Sequence, residues 1–139
     1  MIRAGESVFV DSGAWIALAL QRDPLHARAV DTWDALEAAG ARLATSVPVV
    51  IETFTFLERN ASREAALAWK DGLRDVRRMK TLECPNVALE ASWAYFARRD
   101  LHRLSAVDAT SFVLMTRAKI RVVFTFDHHF SSVGFRIVG

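Results

Sequence analysis

Short β-branched and aromatic runs alternate with segments of helical period along the whole chain, and this alternation constrains the fold more than any other feature. "SVFV" (Ser7–Val10) reads as a buried strand. "SGAWIALALQ" follows as a helix, broken near Asp23 and Pro24. A second helical stretch runs from Leu25 through Ala29, Val30, Trp33 and Leu36 to a stop at Gly40. "ARLATS" (Ala41–Ser46) reads as the next strand, and Pro48 then opens the helix "PVVIETFTFLER", with Ser46 or Val47 before it. "REAALAWKDGLRDVRR" is expected as one amphipathic helix with Leu67, Trp69, Leu73 and Val76 facing inward. "MKTLECP" reads as a strand, Asn86 as the cap of "VALEASWAYFARR", and Ser105 as the cap of "AVDATSFVLMTRAK". Asp108 stands three residues after Ser105, in the acidic position of a capping box. "IRVVFTF" (Ile120–Phe126) is a strong strand, "HHFSSVG" a loop, and "FRIV" (Phe135–Val138) a short last strand. Strands alternating with helices predict an α/β fold with a parallel sheet between helical layers. The 139 residues fit one domain, 1–139, without linker or repeat.

Composition narrows the class of function. Hydrophobic residues make up 52% and charged residues 24%, a globular balance and not that of a disordered chain. The net charge of +2 does not by itself indicate nucleic acid, but 15 of the 18 basic residues are Arg, whose fork matches phosphate as well as carboxylate. The plainer account of those arginines is surface ion pairing. Cys84 is the one cysteine, so no internal disulfide forms, and its place in "TLECP" suggests a buried strand residue. No leader pattern and no apolar run of about 18 residues is present, so a soluble, cytoplasmic protein without membrane contact is expected.

The acids carry the functional argument. In an open parallel sheet the ligand site lies beyond the carboxyl ends of the strands. Asp11 and Asp127 follow strands directly, while Glu52 and Asp108 sit early on helices that leave the same edge. Converging carboxylates raise one another's pKa, and a hard divalent cation with oxygen ligands relieves that conflict. Each acid also has a plainer role. Asp11 can cap the helix from Ser12, Asp108 can answer the helix dipole, Glu52 can be solvated, and Asp127 can open a turn.

In order and spacing, "VFVDSGAW", "ATSVPVVIETFTFL", "LSAVDATSFVLM" and "VVFTFDHHFSSVGF" resemble the PIN domain, and most of all the single-domain VapC-type toxins. The resemblance runs from about Val8 to Val138. It implies a three-layer α/β/α fold with a central five-stranded parallel sheet. It also implies a metal-dependent endoribonuclease that cuts single-stranded or loop RNA by water attack, without a covalent intermediate, leaving a 5′-phosphate and a 3′-hydroxyl. By the same resemblance Asp11, Glu52, Asp108 and Asp127 are the catalytic acids around Mg²⁺ or Mn²⁺, with Asp11 and Asp108 as the usual direct ligands. Ser12 and Thr125 would be supporting hydroxyls. The implied partners are an RNA substrate, a second copy in a homodimer, and a VapB-type antitoxin whose C-terminal segment covers the acids. His26 matches a position where the family often has His.

Two other readings compete. A PIN fold that keeps the acids as a binding or scaffold module would show little catalysis. A haloacid-dehalogenase-like phosphatase with Asp11 as nucleophile would need a second Asp two residues on, where Gly13 stands. His128 and His129 read first as a surface pair in a loop, with positioning of substrate or water as the alternative. His102 and Asp100 lie before the Asp108 helix and are candidates for the groove. Trp15, Trp33, Trp69 and Trp93 are read as core.

Overall fold

The computed structural model describes residues 1–139. The chain runs β1 (Ser7–Val10), α1 (Ser12–Ala19), α2 (His26–Ala38), β2 (Arg42–Ser46), α3 (Val47–Asn60), α4 (Arg63–Leu73) and β3 (Met79–Leu82). It continues through α5 (Asn86–Ser92), a 3₁₀ stretch (Trp93–Ala97), α6 (Ala106–Arg117), β4 (Val122–Phe124), α7 (His129–Ser132) and β5 (Arg136–Val138). Val8, Phe9 and Val10 have no exposed surface, as expected of a central parallel strand covered on both faces. The five strands form one parallel sheet in the order β3-β2-β1-β4-β5, with Val8 opposite Leu43 on one side and Val122 on the other. This is the expected α/β/α architecture with its five-stranded parallel sheet. The chain order reverses between β1 and β4, so the crevice at their carboxyl ends is the natural place for a site.

Local chemistry sets the helix starts. The Ser46, Ser62 and Ser105 hydroxyls accept from the backbone N–H of Val49, Ala65 and Asp108, capping α3, α4 and α6. Pro48 occupies the second helical position of α3 and not the first. Gly40, at φ +62°, provides the left-handed turn that ends α2. Asn86 does not cap α5; Pro85 takes that position, and the helix gives way at Trp93 to 3₁₀ geometry.

The helix expected to run from Arg63 through Arg78 stops at Leu73, after Gly72. There Arg74 and Asp75 bond back to Asp71 and Gly72 in tight turns, and Arg78 takes φ +58° to enter β3. Leu67 is 43% exposed, and the inward position beside it belongs to Ala66. Trp93 is 47% exposed, whereas Trp15 is buried with Trp33 and Trp69 around it at ring separations of 5.6 and 6.0 Å. The Trp15 indole N–H donates to Thr45 Oγ1 at 3.1 Å, and Thr45 donates to the Val10 carbonyl at 3.0 Å, tying α1 to the two central strands. His26 packs α2 on α1 through Nδ1, 2.7 Å from the Ala17 carbonyl oxygen. Cys84 lies just beyond β3, half-buried and unpaired.

β4 covers only Val122–Phe124 of the expected Ile120–Phe126; past Phe124 the Thr125 hydroxyl donates to Asp11 and accepts from the Asp127 backbone N–H, and the chain enters a turn. The segment read as a loop contains α7, whose Phe130 is wholly buried edge-on against Phe112 of α6, 4.9 Å between ring centres.

Candidate metal centre

Asp11 is the first residue beyond β1, and its backbone N–H continues the ladder by donating to the Phe124 carbonyl at 3.0 Å. The strand therefore delivers the carboxylate beside the exit of β4. The side chain is buried and does not cap α1, which removes the plainer role. Its Oδ2 accepts from Thr125 Oγ1 at 2.9 Å, while Oδ1 is buried without any hydrogen-bond partner. Burial pushes the Asp11 carboxyl up to about 6, against the opposing pull of Thr125 and of the Ser12 backbone N–H; the charges of Glu52 and Asp127 add to the rise.

Thr125 links two of the acids. While donating to Asp11 it accepts from the Asp127 backbone N–H at 3.0 Å, which fixes the start of the turn after β4. Asp127 Oδ1 in turn accepts from the His129 backbone N–H at 2.9 Å, so Asp127 does open a turn as well as face the site. Burial opposes ionisation of Asp127, but the His129 backbone N–H and a hydrogen bond from Asp108 outweigh it and hold its carboxyl below the usual value.

Asp108 sits in the first turn of α6. Its backbone N–H goes to Ser105 at 3.0 Å, and its carboxyl joins Asp127 and His129 in a group whose ligand atoms all lie within 4.8 Å of one another. Burial first, then the charge of Asp11, a hydrogen bond to Asp127 and the charges of Asp127 and Glu52 push Asp108 up to about 9. Asp108 is thus pushed up while Asp127 beside it is held down. Glu52, half-buried on α3, stands at the margin of this group. Its Oε1 accepts from Ser12 Oγ at 2.5 Å, and its charge is felt by both Asp11 and Asp108.

The four acids and two hydroxyls singled out from the sequence thus occupy one edge of the sheet. Asp108 and Asp127 are in the tight group, Asp11 is tied to Asp127 through Thr125, and Glu52 is tied to α1 through Ser12. No lysine or arginine pairs with any of the four acids; the ion pairs of the chain lie elsewhere, apart from His129 against Asp127. Buried carboxylates without a basic partner, one with an orphaned oxygen, are a donor set that fits a hard divalent cation. His129 is the residue that sequence reading misplaced. It was expected at the surface, but it is 8% exposed and stands among the acids. Asp100 instead pairs with Arg98 on the surface, and His102 is exposed.

The family model of the PIN domain matches residues 8–136. This chain belongs to the PIN domain family. Its PIN domain is 32% identical over 131 residues to the 23S rRNA-specific endonuclease VapC20 of Mycobacterium tuberculosis, covering 92% of this chain and 95% of VapC20. The crystal structure of that VapC20, described as a sarcin-ricin loop cleaving toxin, superposes with a TM-score of 0.79 over the same shares of the two chains. The DNA-bound VapBC complex of Salmonella typhimurium shares the PIN fold at 18% identity, with a TM-score of 0.66 over 96% of this chain and 97% of that one. VapBC2 of Rickettsia felis, bound to a promoter DNA fragment, shares it at 10% identity, with a TM-score of 0.68 over 95% and 97%. No helix of the chain is long and apolar enough to cross a membrane.

Proposed function

We propose that this chain is a divalent-metal-dependent endoribonuclease and the toxin of a toxin–antitoxin pair, acting as a single domain in the cytoplasm. The observation that carries this reading is the convergence of the buried, unpaired carboxylates of Asp11 and Asp108 beside Asp127 at the point where the strand order reverses. Asp11, Asp108 and Asp127 would hold the cation, Mg²⁺ or Mn²⁺, with Glu52 at its margin. When bound, such a cation supplies Lewis acidity toward a phosphoryl oxygen and lowers the pKa of water.

The chain's own residues do the rest. Thr125 keeps Asp11 Oδ2 in one orientation while anchoring the backbone of Asp127. Ser12 fixes Glu52 Oε1, which leaves Oε2 to take a proton from an attacking water. Asp127 is oriented by the backbone N–H of His129, which favours its ionised form, and it would share the hold on the cation with Asp108 beside it. No serine or cysteine nucleophile is needed, so water attacks the phosphodiester directly.

VapC20 is named for cutting 23S rRNA, and its crystal structure for cutting the sarcin-ricin loop. At 32% identity over nearly the whole chain, a loop of ribosomal RNA is the first substrate class for this protein too. A loop also exposes its phosphodiesters to a recessed site better than a duplex does. A cleft of about 420 Å³ runs from Glu52 past Ile51, Phe56 and Arg59, with Ile51 61% exposed. Its lining, apolar with one arginine and one glutamate, suits the C-terminal segment of a VapB-type antitoxin in a complex of toxin homodimers. The test is to incubate a ribosomal stem-loop RNA and its fully paired counterpart with the purified, partner-free protein and Mg²⁺ or Mn²⁺, then to map the ends. Cuts confined to the loop with 5′-phosphate and 3′-hydroxyl ends are expected. Cyclic 2′,3′-phosphate ends would contradict water attack at a metal site.

A further inference from the structure

Burying an imidazole is costly unless its ring nitrogens find partners. His129 opens α7 and is 8% exposed, yet its Nδ1 is buried without a hydrogen bond. Asp127 Oδ1 lies 3.2 Å from that nitrogen, but the contact lacks hydrogen-bond direction. The closeness is imposed from the backbone. The His129 N–H holds the same Oδ1 at 2.9 Å, and the neighbouring Phe130 locks α7 against Phe112 of α6, the helix that carries Asp108. The packing that places Asp108 therefore also places His129.

The spacing suits coordination. One ring nitrogen of His129 and one oxygen each of Asp108 and Asp127 lie within 4.8 Å of one another, and Nδ1 is the nitrogen that faces Asp127. Ligands about 2.1 Å from an octahedral ion are roughly 3.0 Å apart when adjacent and about 4.2 Å apart when opposite. The 3.2 Å separation of Nδ1 from Asp127 Oδ1 is close to that of adjacent ligands.

We propose that His129 supplies Nδ1 as a ligand to the cation held by Asp108 and Asp127, making a mixed carboxylate–imidazole set that favours Mn²⁺ over Mg²⁺. This rests on the reading above that these acids hold a divalent cation. Magnesium binds oxygen ligands, whereas an imidazole suits transition metals. The ligating form is the neutral ring with its proton on Nε2.

The experiment is pulsed electron paramagnetic resonance of the Mn²⁺-loaded, RNA-free protein, grown with natural or ¹⁵N-labelled histidine. Wild type should show a ¹⁴N coupling of a directly bound imidazole that changes to ¹⁵N on labelling. His129→Gln should lose it, while His128→Gln keeps it. By competition titration, His129→Gln should bind Mn²⁺ roughly tenfold more weakly, with Mg²⁺ affinity changed by less than about twofold. Mn²⁺ bound by wild type without histidine nitrogen coupling overturns the proposal and leaves the carboxylate site standing. Coupling that survives His129→Gln but not His128→Gln overturns it in the same way. No Mn²⁺ binding by wild type overturns this proposal together with the metal-site reading beneath it.

Discussion

Asp11→Asn should make the metal-free protein more stable. The carboxyl is buried and pushed from 3.8 up to about 6, so keeping it ionised at pH 7 costs about 3 kcal/mol. Asparagine removes that charge at nearly constant shape. The loss of a charged acceptor for Thr125 is already contained in that net figure, because the Thr125 hydrogen bond is one of the influences that set the raised pKa. The asparagine amide puts an unpaired donor where Oδ1 is now unpaired, at a cost of about 1 kcal/mol. The balance favours the variant by about 2 kcal/mol, or about 6–8 °C in Tm for a chain of this size. Because the folded carboxyl has the raised pKa, wild type loses stability as pH rises from about 4 through about 6, so the gap between the two proteins opens over that window and is flat above it. Added cation reverses the order, since at a hundred times Kd it contributes about 2.7 kcal/mol to wild type and little to the variant. Differential scanning calorimetry in EDTA and in Mn²⁺, at pH 5 and 7.5, reads all of this. A variant that melts below wild type in EDTA at pH 7.5 would refute the reasoning, because the Asp11 charge would then be compensated within the fold.

Thr125→Val removes both the donor to Asp11 Oδ2 and the acceptor of the Asp127 N–H, so Mn²⁺ affinity should fall roughly tenfold or more and stability by about 1–3 kcal/mol. Isothermal titration and urea unfolding measure the two effects, and unchanged metal affinity would show that Thr125 does not orient the site. Ser105→Ala removes the cap of α6, the helix bearing Asp108, and should cost about 0.5–2 kcal/mol with an unchanged urea m value.

The parts of the fold legible in the sequence were those with a repeating pattern or a fixed local chemistry. β1 is apolar from Val8 to Val10 because both faces are covered, Ser105 caps α6 as its position suggested, and Ser46, one of the two residues placed before Pro48, caps α3. Strand ends then placed Asp11 and Asp127 on one edge, and the helix starts added Glu52 and Asp108. What stayed hidden depends on tertiary context. Trp93 is hydrophobic enough for a core, but it stands one residue past Ser92, off the face of α5 that Ala88 and Ser92 bury. α7 is only four residues long, too short for any periodicity to reveal that His129 and Phe130 face inward. Burial of His129 follows from the packing of Phe130 on Phe112, a contact between distant segments. β4 was read too long because Thr125 and Phe126 continue its β-branched and aromatic pattern, while the Thr125 hydroxyl serves the acids.

The most direct measurement is cleavage of loop-containing RNA by the partner-free protein, comparing wild type and Asp108→Asn with Mg²⁺, Mn²⁺ or excess EDTA. Asp108 is the acid most strongly disfavoured as a bare charge, so its removal leaves a folded protein without the site that a cation would complete. Cleavage by wild type that requires the cation and disappears in Asp108→Asn is expected. Cleavage that persists in EDTA and in a folded Asp108→Asn protein would contradict a catalytic metal at the carboxyl edge of the sheet.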